Sequence, residues 1–74
     1  MNYHVITCCT NIIDRDGEHS SRSARYTTSS TIKATSIFED QCAVHERVKL
    51  ESFEVTVNNR NDPQLIQVRQ GGLS

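Results

Sequence analysis

The sequence predicts an α+β fold, β-β-α-β-β, with one helix packed across one face of a four-stranded antiparallel sheet. Three observations carry that expectation. Ala34, Ile37, Phe38 and Cys42 recur at i, i+3, i+4 and i+8, which places them on one face of a helix, with Lys33, Ser36, Glu39 and Asp40 off it. Segments of β-branched or alternating character stand on both sides of this stripe. Turn chemistry then separates those segments into pairs, with Asp16-Gly17 before the stripe and Asn58 to Pro63 after it. Seventy-four residues make a single small domain, 1–74. A chain of this size buries only about 60–65% of its unfolded surface, so the helix must meet a matching apolar sheet face.

Residues 3 to 13 are rich in β-branched and small side chains and read as a strand. Asp14-Arg15-Asp16-Gly17 closes a hairpin, because the Asp-Gly pair tolerates positive φ. Residues 18 to 28 return with Ala24 and Tyr26 on the apolar side. Near the turn this strand is so polar (Glu18 to Arg22) that the hairpin is expected to project into solvent. Ser29, Ser30 and Thr31 precede the stripe, and their hydroxyls suit the free N–H groups of a first helical turn; the helix is expected over 31–43.

The stretch 44–57 alternates but changes phase: Val48 and Leu50 share one parity, and Phe53, Val55 and Val57 the other. A β-bulge near Glu51-Ser52 would return the second group to the core, and a break into two short strands is the alternative. Residues 58–63 form a turn, residues 65–69 a last strand, and Gly71 to Ser74 a frayed tail.

Composition excludes several classes. Eight basic against nine acidic residues give a formal charge of −1, unlike a general nucleic-acid binder or an acidic DNA mimic. The cations are six Arg and two Lys, and Arg is the commoner cation in recognition surfaces. Cys8, Cys9 and Cys42 are an odd set, read as reduced thiols of a cytoplasmic protein. The N-terminal residues lack the basic lead and apolar run of a signal peptide, and no segment is apolar for the ~20 residues a membrane span needs.

His4, Cys8, Cys9, Cys42 and His45 are residue types that bind zinc. No Cys-x-x-Cys pair is present, however, so no metal is assigned to them. The same residues offer a Cys–His pair without an orienting carboxylate or an oxyanion hole. No carboxylate pair or glycine-rich phosphate loop is present, so the chain is read as non-enzymatic and without a cofactor.

If Ala24, Tyr26, Val48, Leu50, Ile66 and Val68 face the helix, then Arg25, Arg47, Lys49 and Arg69 share the outer sheet face, with Glu51 and Glu54 beside them. These four cations are the candidate partner-binding residues, suited to an acidic protein groove or a nucleic-acid backbone. A solvated face of compensating ion pairs is the bland reading of the same residues. That face is expected to carry no aromatic side chain, which counts against single-strand binding.

The stretch from Ser30 through Glu51 resembles the small α+β anti-CRISPR proteins of phages that block type I-F surveillance complexes, especially the ninth described family. The resembling features are the Ser-led helix, Gln41-Cys42 at its end and the start of the next strand at Val48-x-Leu50-Glu51. The resemblance implies an inhibitor that binds the backbone subunits of a crRNA-guided complex and keeps target DNA out. The Asp14–Gly17 hairpin, the Cys8-Cys9 pair and the Asn-rich 58–62 turn depart from that pattern, so no contact residue is carried over. The leading expectation is therefore a phage-type inhibitor of a host defence complex acting through Arg25, Arg47, Lys49 and Arg69. Direct nucleic-acid binding by the same face, and a homodimer formed through an edge strand, are the other readings.

Overall fold

The computed structural model describes residues 1–13 and 15–73. Five elements follow one another: β1 (Asn2–Ile13), β2 (His19–Thr28), α1 (Thr31–Cys42), β3 (Arg47–Glu54) and β4 (Gln64–Gly71). All strands are antiparallel and lie in one sheet of order β2-β1-β3-β4, with α1 across one face. The chain has the expected α+β fold.

The β1–β2 turn bends at Arg15 and Asp16, and Gly17 takes φ 79°, a left-handed conformation that glycine adopts without steric cost. Asp14, expected in that turn, lies outside the described residues. Ser30 caps α1: it is extended (φ −92°, ψ 122°), and its Oγ accepts from the Lys33 N–H at 3.2 Å. One orphan donor of the first turn is thereby satisfied, a contact worth about 1 kcal/mol.

The helix stripe meets the sheet as its spacing requires. Ile6, Cys8, Ala34, Phe38, Val48 and Leu50 form the buried cluster, and Ala24, Ile37 and Cys42 pack against it. Register assigns the rest of this face, since residues directly opposite in an antiparallel pair share a side. Tyr26, Ile6, Leu50 and Arg69 make one row across the sheet, and Ala24, Cys8, Val48 and Gly71 the next.

The phase change in β3 is resolved differently from the expected bulge. The strand runs unbroken against β1 from Arg47 to Glu54, so Phe53 stays on the face away from the helix. The register shift at Ser52/Phe53 is against β4, where Ser52 faces Gln67 and Phe53 faces Leu65. The extra residue is therefore Ile66, on the edge strand, where an interruption costs fewer ladder hydrogen bonds. Val55 and Val57 lie beyond the strand. The Val55 N–H donates to the Met1 carbonyl at 2.8 Å.

The expected frayed tail is corrected as well, apart from Ser74, which lies outside the described residues. Gly71 belongs to β4, and a Cβ there would meet Cys42 Sγ at 2.9 Å and Phe38 Cζ at 3.2 Å. At Gly72 (φ 137°) a Cβ would fall 2.0 Å from the Glu46 carbonyl oxygen. The Leu73 N–H then donates to the His45 carbonyl at 3.0 Å. These residues run close against the α1–β3 connection because two consecutive glycines allow the approach.

Beyond the Cys9–Arg47 pair, β1 has no partner but β2, and residues 10–13 and 19–22 form a two-stranded arm. The molecule measures 51 × 24 × 15 Å and its radius of gyration is 14.6 Å. A compact chain of this length would give about 11 Å. The projecting hairpin expected from its polarity is present.

Candidate functional site

The face opposite α1 is open, because all four strands lie in one sheet and the one helix among the described residues covers the other side. Four rows cross this outer face. From the arm end they are Ser23–Cys9–Arg47, Arg25–Thr7–Lys49–Gln70, Thr27–Val5–Glu51–Val68 and Tyr3–Phe53–Leu65.

Arg25, Arg47 and Lys49 lie together on this face as expected, all exposed. Arg25 and Lys49 sit two strands apart in one row, about 10 Å between strand axes. No ion pair occupies these three cations among the described residues. Arg47 and Lys49 line a shallow open depression together with Thr7, Cys9, Glu51 and Gln70. A depression of this kind accommodates a few side chains of a partner rather than enclosing a small molecule.

Arg69 is not part of this group. The register shift at Ile66 places Val68 on the outer face and Arg69 on the helix face, opposite Leu50. Its guanidinium carbon stands 5.0 Å from the centre of the Phe38 ring, a cation–π contact worth about 0.5–1 kcal/mol at an exposed site. The inward facing expected of Val68 is overturned by the same shift, and Ile66, expected inward as well, is the displaced residue; both are exposed. Glu54 pairs with Asn2 and Gln64, on the helix side of the sheet.

The outer face also carries aromatic side chains, contrary to expectation. Tyr3 on β1 and Phe53 on β3 stack with centroids 5.1 Å apart and ring planes 17° from parallel. They are half-buried, with Leu65 beside them in the row. Val5, in the adjoining row, is only 5% exposed although the one helix among the described residues packs on the other face. The face thus divides into a cationic end toward the arm and an apolar end, with Glu51 in the row between. The signal for Tyr3 was its parity with Val5 and Thr7, opposite to Ile6 and Cys8. That for Phe53 was the phase change in β3 taken literally.

The five His and Cys residues of zinc-binding type considered from the sequence, His4, Cys8, Cys9, Cys42 and His45, are distributed. His4 is buried beneath the start of α1, where Nδ1 shares a 2.7 Å hydrogen bond with Ser52 Oγ and Nε2 a 3.3 Å one with Thr31 Oγ1. His45 Nδ1 pairs with Thr10 Oγ1 at 2.7 Å. Cys8 and Cys42 lie on the helix side, and Cys9 faces the depression on the opposite side. Burial, and secondarily the Cys42 thiol nearby, pushes the Cys8 thiol above its ordinary range. Among the described residues no three His, Cys, Asp or Glu side chains stand where they could hold one metal ion.

Comparison with known proteins finds no matching family, no similar curated protein and no similar solved structure. No helix among the described residues is long and apolar enough to cross a membrane.

Proposed function

We propose that this chain is a non-enzymatic binding protein that works by occlusion. Its outer sheet face docks on an acidic surface of a host defence complex, a CRISPR surveillance complex of the kind blocked by the proteins that residues 30–51 resemble, and keeps nucleic acid away. The observation that carries this reading is the grouping of Arg25, Arg47 and Lys49 on one open face without intramolecular ion pairs among the described residues. Cations in that state have no internal partner to give up, so charge-assisted contacts with partner carboxylates come at a low desolvation cost. Arg69 leaves the proposed contact set, since Phe38 engages it on the other face.

The test is capture of a host complex from lysate by the immobilised chain. The double substitution Arg47→Glu, Lys49→Glu is expected to abolish capture with an unchanged circular-dichroism spectrum, and Arg69→Gln to leave it intact. Undiminished capture by the double variant would refute the assigned surface.

A second reading, direct binding of nucleic acid by the same face, is favoured by the Tyr3–Phe53 ring pair, because aromatic side chains are the usual platform for unpaired bases. Glu51 between rings and cations opposes it. Salt separates the two: if several phosphates are neutralised, oligonucleotide affinity falls steeply between about 50 and about 200 mM salt.

A further inference from the structure

We infer that the outer face is a two-part receptor for an acidic protein segment that also carries an aromatic or branched aliphatic side chain, the apolar anchor seating beside Tyr3 and Phe53. This rests on the proposed protein-docking role and specifies the partner's chemistry. The cations alone would accept any anion. From the Glu51 row onward, however, the face turns apolar: Val68, 44% exposed, stands opposite Glu51, and in the next row the stacked rings have Leu65 beside them, 46% exposed. In a 74-residue chain with a small core, these side chains would contribute more inside than out. Yet strand parity and the displaced residue at Ile66 hold them outward.

Geometry sets the partner's spacing. Lys49 and Phe53 are four residues apart on one strand, about 13 Å along it. An extended segment lying along β3 would therefore present its carboxylates and its anchor some four residues apart. Glu51 stands between the two parts and disfavours a carboxylate midway, which makes the order of charge and anchor specific rather than only their number. The complementarity is to a polypeptide: a nucleic-acid backbone carries a phosphate at every step and would bring one against Glu51. Interfaces draw most of their energy from such desolvated aromatic and aliphatic anchors, with charges around them setting orientation and rate.

The experiment titrates the isotopically labelled chain with three probes: poly-glutamate, a random glutamate–tyrosine copolymer of equal length, and oligothymidylate. The copolymer is expected to bind about tenfold tighter than poly-glutamate, the increment of one seated anchor. It should shift backbone resonances in both the Lys49 and the Phe53 rows, while poly-glutamate shifts the Lys49 row alone. The double variant Leu65→Ser, Val68→Ser changes only exposed edge-strand side chains and so preserves the core. It should remove the copolymer's advantage and leave poly-glutamate binding unchanged.

Equal affinity for the two polymers, an advantage that survives the double variant, tighter binding of oligothymidylate, or no binding of the copolymer would each overturn the inference. Equal polymer affinities alongside loss of host capture by the Arg47→Glu, Lys49→Glu variant would sink the anchor alone and leave the docking face standing.

Discussion

At the scale of single residues, the buried polar groups are satisfied in pairs. His4 and Ser52, both nearly inaccessible, complete each other's hydrogen bonding, so neither is left as an unpaired group in the interior. Cys8 is held differently, by exclusion of its charged form. Its thiol is raised above the ordinary value of 9.0, chiefly through burial. The folded state therefore keeps the Cys8 proton to higher pH than the unfolded chain does. That contribution to stability is complete below pH 9.0 and declines as the pH rises from there toward the folded-state value. Urea midpoints measured between pH 7 and pH 10 should fall at the alkaline end, and Cys8→Ala should flatten that fall while lowering the plateau. In alkylation of the native protein at pH 8, Cys9 on the open face should react well before Cys8.

At the scale of elements, the C-terminal segment of the sheet bears most directly on stability. Gly71 lies under Phe38 and Cys42, two members of the helix stripe, and an added methyl there has too little room. Gly71→Ala should cost about 1–3 kcal/mol in urea unfolding, because the helix must lift or the strand must shift to admit it.

The same region marks the limit of what the sequence could tell. The stripe, the Ser30 cap and the Asp-Gly turn each act through neighbours a few positions away, so helix and hairpin were legible residue by residue. Which face β4 presents depends on Ile66, an extra residue whose effect exists only in the pairing of two strands. No local pattern announces it, and Arg69 and Val68 were expected on the wrong faces for that reason. Arg25, Arg47 and Lys49 were legible because their parity relative to Ala24, Val48 and Leu50 is uninterrupted. Phe53 is lost from the outer face if a bulge is assigned to β3, where the strand is continuous, and Tyr3 if the parity of Val5 and Thr7 is not carried back to it.

At the scale of the whole molecule, the proposed docking face and the stabilising core are on opposite sides of one sheet, and the arm extends beyond both. Within the sheet residues 10–13 and 19–22 pair only with each other, the Thr10 hydroxyl alone reaching outside the arm to His45, and no residue of the buried cluster lies among them. Replacing residues 11–21 by an Asn-Gly turn that joins Thr10 directly to Arg22 should therefore lower stability by no more than about 1 kcal/mol. By small-angle scattering the radius of gyration should fall from 14.6 Å toward about 11 Å. A variant that fails to fold would show that the arm supports the core.

The place of β1 in the sheet has a consequence in time. Its partner on one side is β2, the next strand in the chain, while on the other it waits for β3, so that Cys9 meets Arg47 and Asn2 meets Glu54. Closing those long loops is the slow event in such a topology, whereas the hairpin and the helix assemble quickly from local contacts. During the interval Ile6 and Cys8 sit on an uncovered hairpin whose inner edge has free hydrogen-bonding groups. An uncovered edge of that kind is where two copies would join by mistake, so the recovery of native protein is expected to rise with dilution during refolding.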